Sequence, residues 1–406
     1  MKRSLSFSSL RAKRGNPERG ALRSGLPRFA RNDEMGVLRA ALFLPLLALA
    51  APLAAQGVPA DLTVMPAVPD DYRPATTSWG DPDFRGTWPL NDIAELPVNR
   101  PEQYEGRYWK TEAEIAAEQG RVDSLDTAYD REDEEGTIGL GHWIEYQAGS
   151  RRTSMVVSPA NGRLPEFTPE GIRRASLMRS SWVGGQPFDW VTDFDTWDRC
   201  ITRGFPASMF PFRYNNGIRI YQSPGYVVLA LEMLGTRIIP VGAGGHWPEA
   251  VTGWFGSARG RWIDHNTLEI ETTNIQPGAS ALNVATRGVP ANNTIPMSDQ
   301  VRVVERISMI GPDMLTYEMD YADPVIWTAP FSLRVNWTRD DTYEFFEYAC
   351  HEGNVQVRNY ITSDRTAREQ EYARGRMVDP IDPNAGPPPA MDPASRGVGQ
   401  TTGNRN

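Results

Sequence analysis

From Ile218 onward the chain alternates. In Phe331-Ser332-Leu333-Arg334-Val335-Asn336-Trp337 every second residue is apolar, and Leu315-Thr316-Tyr317-Glu318-Met319-Asp320-Tyr321 repeats the pattern. That is the period of a strand with one face on a core. Ile218–Gln222, Tyr226–Met233 and Arg237–Val241 are β-branched or aromatic runs, separated by Ser223-Pro224-Gly225 and Leu234-Gly235-Thr236 as turns. Gly260–Ile263, Leu268–Thr272, Val301–Met309 and Tyr343–Cys350 continue the series. Short strands at close spacing predict an all-β, mainly antiparallel fold: a barrel or barrel-like meander with long loops. A few short helices are expected in the N-terminal half. One starts at the Thr111/Glu114 capping box and runs to about Gln119. Another has Thr168 as N-cap and Pro169 at its first position, and ends near Arg179. The acidic run Asp130–Glu135 reads as an exposed loop; it lacks the spacing of an EF-hand.

The polar face that bears Glu318, Asp320, Arg334 and Asn336 is either solvent surface with cross-strand ion pairs or the lining of a wet lumen. Glu305 lies between Val303 and Ile307 on an apolar face, so it is predicted to be partly buried and paired with Arg237 or Arg334.

The ends of the chain have a different character. Met35-Gly36-Val37-Leu38-Arg39, the apolar run Ala40–Leu53 and the small residues Ala54-Ala55 follow the grammar of a cleaved signal peptide. Maturation near Gln56 and a periplasmic or secreted location are expected. Residues 1–34 are basic and aperiodic and read as a mis-assigned or disordered extension, with Met35 as the true start. Residues 56–84 read as an extended leader, 85–375 as a single β-rich domain with helical insertions, and 376–406 as a disordered tail rich in Pro and Gly. The whole chain has a formal net charge of −9. Its first 55 residues hold ten basic and three acidic side chains, so the chain cut after Ala55 stands at −16. So acidic a surface repels phosphate backbones, which argues against nucleic acid as a partner. After the signal no stretch is long and apolar enough to span a membrane.

The only cysteines, Cys200 and Cys350, are expected to pair in an oxidising compartment. Their union would bring Asp198, Arg199 and Arg203 near His351, Glu352 and Asn354. That group suits either acid–base chemistry, with His351 as proton carrier, Glu352 assisting and Arg203 holding an anion, or a structural knot of ion pairs. Tyr214, Asn215 and Asn216, in Phe212-Arg213-Tyr214-Asn215-Asn216-Gly217, together with His246, Trp247 and Arg259, are candidate ligand contacts at one mouth of the β scaffold. Trp182, Trp190 and Trp197 add aromatic surface for stacking a ring. His142, His246, His265 and His351 are not at metal-ligand spacing, Asp193, Asp195 and Asp198 form a loose set, and no nucleotide or cofactor signature occurs, so neither metal nor cofactor is expected.

Phe84-Arg85-Gly86-Thr87-Trp88, and Gly260-Arg261-Trp262 before a strand, resemble the Gly-x-Trp element of lipocalin-like (calycin) barrels. The mature chain also resembles a secreted bacterial family of unassigned function. The resemblance rests on Arg152-Thr153-Ser154, Arg199-Cys200-Ile201-Thr202-Arg203-Gly204, Tyr214-Asn215-Asn216, Gly225-Tyr226-Val227-Val228, Arg237-Ile238-Ile239-Pro240, Ser257-Ala258-Arg259-Gly260-Arg261-Trp262 and Tyr348-Ala349-Cys350-His351-Glu352-Gly353-Asn354. Relatives often carry Asp-Ser-Arg-Gly where Ser257-Ala258-Arg259-Gly260 stands here. The resemblance brings no mechanism. Three functions stay open: binding of a small aromatic or sugar-like ligand, cofactor-independent hydrolase, lyase or isomerase chemistry at His351, Glu352 and Arg203, and docking of a protein partner at the cell envelope.

Overall fold

The computed structural model describes residues 59–136, 150–181, 187–212, 214–276, 280–283 and 294–375. The signal, the basic extension, the C-terminal tail, His142, Trp182 and Arg213 lie outside the described residues.

Strand β1 (Gly86–Pro89) forms at the first Gly-x-Trp element. Helix α1 (Glu112–Glu135) begins at the expected box: Thr111 N–H donates to Glu114 at 2.7 Å, and Glu114 N–H donates back to the Thr111 hydroxyl at 3.3 Å. It continues well past Gln119, so the acidic run is helix and not loop. The run has no breaker before Gly136, which ends it at φ 66. Strand β2 (Val156–Ser158) and helix α2 (Pro169–Leu177) follow, the latter capped by Thr168, whose hydroxyl accepts from Gly171 N–H at 2.9 Å.

The meander comprises β3 (Gly217–Ser223), β4 (Tyr226–Leu231), β5 (Thr236–Pro240), β6 (Ser257–Trp262), β7 (Thr267–Thr273), β8 (Ser280–Asn283), β9 (Thr294–Pro296), β10 (Arg302–Gly311), β11 (Met314–Ala322) and β12 (Phe331–Thr338). Helix α3 (Gln356–Ala373) follows the last strand. Two expectations are corrected. Tyr343–Cys350 forms no strand: Phe345 packs against β3, which already pairs with β1 and β4, and the segment is held by Glu232, which accepts from Phe346 N–H and the Tyr343 hydroxyl. Gly260-Arg261-Trp262 ends β6 instead of preceding a strand.

All strand pairing in the sheets is antiparallel. β1-β3-β4-β5 form one sheet, β2-β12-β11-β10-β7-β6 a second, and β8-β9 a separate hairpin. The sheets do not close into a barrel. Their edges meet at an isolated parallel bridge between Val241 and Gly260, where a Cβ on Gly260 would stand 3.1 Å from methyl groups of Ile239 and Val241. On the other side Asp340, just past β12, donates its N–H to Thr87 O of β1 at 3.0 Å.

Inner-face residues of both large sheets share one hydrophobic core, which includes Trp88, Ile220, Leu229, Ile270, Val303 and Leu333. A buried segment, residues 202–212, also enters this core. Its Phe210 faces Tyr317 (6.5 Å between ring centres), and Tyr317 stacks on Trp337 at 4.9 Å. The enclosed polar centre is Glu305, which Arg237 engages through two nitrogens at 2.7 and 2.6 Å and the Tyr317 hydroxyl at 2.7 Å. Thr272 adds a longer contact at 3.4 Å, and Phe205 covers the Arg237 guanidinium at 4.3 Å. The Glu305 partner is therefore Arg237. Arg334 is on the opposite face and pairs with Glu318 at 2.6 Å.

That outer face is built as cross-strand ion pairs: Arg306 with Glu269 and Asp320, and Arg334 with Glu318. Part of it is covered. The leader, without helix or strand from 59 to 75, crosses it, with Pro66 O accepting from Arg334 (2.6 Å), Val64 O from the Trp109 indole (2.9 Å) and Leu62 O from Tyr108 N–H (2.8 Å).

Candidate functional site

The disulfide joins Cys200 to Cys350 with their Cα atoms 5.6 Å apart. Asn354 is brought to it and donates to Asp198 O (3.1 Å) and Cys200 Sγ (3.2 Å). The three acid–base candidates are not joined. Arg203 is buried, donates to Phe210 O at 3.1 Å and lies 4.6 Å from the Phe212 ring centre, whereas His351 and Glu352 are exposed in a turn and make no side-chain hydrogen bond within the described residues. Beside the disulfide, on the Cys200 side, lies a carboxylate pair. Ser180 Oγ lies 2.9 Å from Asp195 and 3.4 Å from Asp198, and Asp195 also accepts from Trp197 N–H and Asp198 N–H. Burial, and then the Asp198 charge, push Asp195 up to about 6. Asp193 instead pairs with Arg179 at 3.0 Å. No group of His, Cys, Asp and Glu among the described residues could hold a metal ion.

The loop candidates are engaged locally. Tyr214 packs edge-on to Phe212 at 4.7 Å; burial raises its phenol above the ordinary range. Asn215 donates to Glu232 at 3.1 Å, and Asn216 bonds both N–H and O of Phe212. The His246 ring is 2.9 Å from Ser257 O, and Trp247 N–H donates to Ser257 Oγ at 3.1 Å. The Arg259 guanidinium lies against Gly244, whose Cβ would stand 3.0 Å from it. Of the two described tryptophans in that set, Trp197 is buried edge-on to Phe212, and Trp190 is 63% exposed.

An unforeseen site lies beneath the leader. Met65–Pro69 roofs a cavity of about 60 Å³, closed on one side by Ile93, Leu96 and Trp109 and floored by Ser150, Arg152, Thr316, Arg334 and Asn336. The fold sets each floor residue separately. Arg152 bridges to Trp109 just before β2, Thr316 is on β11, and Arg334 and Asn336 are two apart on β12, so they share its outer face.

Arg152 is 8% exposed. One terminal nitrogen donates to Ser154 O at 3.0 Å, its Nε has no hydrogen-bond partner, and its guanidinium lies 5.6 Å from the Trp109 ring centre. No carboxylate among the described residues pairs with it, whereas Arg334 beside it has Glu318. Burial, then the positive charges of Arg334 and Arg100, pull Arg152 down to about 9. A guanidinium keeps its proton at neutral pH, so only a counter-ion relieves that strain. Arg100 repeats the theme: it is 2% exposed, donates to Ala160 O at 3.0 Å and lies 4.5 Å from the Tyr108 ring centre. Gly162, at φ 70, admits it; a Cβ there would stand 2.6 Å from the guanidinium.

Two further donors face the cavity without strong acceptors. Asn336 takes the Thr316 hydroxyl on its oxygen (3.1 Å), and its nitrogen has only the Met314 sulfur at 3.9 Å. Ser150 accepts from Arg152 N–H at 3.1 Å and keeps its own O–H for another partner. One sequence signal marks this site: residues 146–165 contain three arginines and no carboxylate. Comparison with protein-family profiles, curated proteins and solved structures finds no match to this chain.

Proposed function

We propose that this chain is an exported small-molecule binding protein whose ligand sits in the cavity beneath its own leader. The observation that carries the reading is a buried guanidinium, Arg152, whose Nε has no hydrogen-bond partner, in a cavity where the Asn336 amide nitrogen and the Ser150 hydroxyl also find no strong acceptor among the described residues. A buried polar group without a partner costs folding free energy, and a wall that retains one is explained by what it binds. The cavity has room for about four or five water-sized groups, which favours a ligand smaller than a sugar or aromatic ring. The acid–base alternative has no comparable support, because His351 and Glu352 are exposed and unorganised. The disulfide, and the absence of any described helix long and apolar enough to cross a membrane, accord with an exported chain.

The test is ligand-observed NMR with a library of very small polar fragments, using chain that begins at Gln56. Val68→Trp, at the roof, should fill the cavity and remove every hit. Hits that persist in that variant would move the binding site elsewhere. Amino-terminal sequencing of exported protein should read from Gln56; a longer product overturns the export signal.

A further inference from the structure

We propose that the cavity selects a short-chain carboxylate, an anion of two to four carbons whose carboxyl group meets Arg152 and whose alkyl end meets the apolar roof. The inference rests on the binding reading above and narrows it to one class.

The floor is donor-rich. Arg152 offers guanidinium N–H, Asn336 its amide nitrogen and Ser150 its hydroxyl, while no carboxylate of the described residues turns toward Arg152. Arg334 also lines the floor, but Glu318 and Pro66 O already engage it, so it adds field more than a free fork. A planar two-oxygen anion suits one guanidinium flanked by two neutral donors. Phosphate needs donors around a tetrahedron, and half of this wall is Met65, Pro66, Val68, Ile93, Leu96 and Trp109. Those side chains can only take carbon. A neutral amide would bring its own N–H toward a cationic floor and leave Arg152 uncompensated.

The experiment is calorimetric titration of the chain from Gln56 with sodium acetate and sodium propionate at fixed ionic strength. Acetamide, sodium chloride and inorganic phosphate are run alongside. Acetate and propionate should bind one-to-one, with dissociation constants of roughly 10 µM to 1 mM, as befits a ligand of four or five heavy atoms. Acetamide should fail. Arg152→Gln should weaken propionate by about tenfold or more. Asn336→Asp covers the case in which that variant does not fold. It places a carboxylate on the floor, so it should abolish propionate binding while raising the melting temperature. Acetamide or phosphate binding as well as propionate overturns the carboxylate assignment and leaves the cavity a binding site. If none of the probes binds, or if Asn336→Asp binds propionate as the parent does, the carboxylate site itself is refuted. A fragment screen that also yields no cavity hit refutes the binding reading beneath it.

Discussion

Glu305 and Arg237 give the sharpest stability prediction. Both are essentially inaccessible, and the carboxylate receives two N–H bonds from Arg237 and the Tyr317 hydroxyl within 2.7 Å. Arg237→Met strands the carboxylate in the core. Glu305→Leu strands the guanidinium, which is then left with a 3.3 Å contact to Thr272 and the face of Phe205. Breaking a buried pair from one side costs about 3–5 kcal/mol. The double variant removes both charges and leaves only the Tyr317 and Thr272 hydroxyls short of an acceptor, a loss of about 1–3 kcal/mol. The double variant should therefore be more stable than either single one. The coupling has a sign opposite to additive damage. Denaturant unfolding with the disulfide intact measures it. At roughly 2 °C per kcal/mol for a domain of this size, each single variant should melt about 6–10 °C below the parent. Single variants within about 1 kcal/mol of the parent, or a double variant as unstable as their sum, would refute the claim that the two charges require each other.

Two further outcomes follow from the disulfide end. Asp195 holds its proton to about pH 6 in the fold against 3.8 as a free side chain, so the native state binds more protons in that window and its contribution to stability falls as pH rises from about 4 to 6. Asp195→Asn should flatten the pH 4–7 stability curve, by on the order of 2 kcal/mol across the window; a slope unchanged from the parent contradicts the assignment. Below that window the Arg107-bound Glu114, held down at about 2, works the other way and is lost as acid protonates it. Separately, Cys200→Ser opens a loop of 150 residues, and chain entropy sets the loss at up to about 5 kcal/mol. A loss below about 1 kcal/mol by denaturant titration would mean that the reduced, unfolded chain is already held together elsewhere.

Much of the strand framework was legible because alternation over an antiparallel sheet is a local signal. β11 and β12 lie where period two is clean, β3, β4, β7 and β10 lie on β-branched or aromatic runs bounded by turns, and the buried position of Glu305 follows from its neighbours Val303 and Ile307. Tyr343–Cys350 has the composition of a strand, but strand identity also needs a neighbour, and composition carries no information about that. α1 was underestimated because its carboxylates suggested a loop, although glutamate is a good helix former and nothing before Gly136 stops the helix. α3 was missed: most of its surface is polar, and its hold on the body includes Asp364, accepting from Phe188 N–H, Arg368, reaching Asp189, and a single aromatic, Tyr360, against Phe188 and Phe194. The disulfide was readable from two cysteines and a compartment. The cavity was not. Its roof, floor and side come from residues 65–69, 93–109, 150–152 and 316–336, and among the described residues no carboxylate reaches its cationic centre, a property that only the folded chain has.

The Arg334–Pro66 contact spans 268 residues of sequence. During synthesis, then, the stretch that will cover the cavity emerges early and can engage Tyr108 and Trp109, but its anchor on the sheet is missing until β12 is complete. A chain truncated before Phe331 lacks both Arg334 and Asn336, so the cavity is without two floor residues and the leader without its bond to Arg334. Any reporter that senses propionate at this cavity would thus count finished molecules only, and nascent fragments would stay silent.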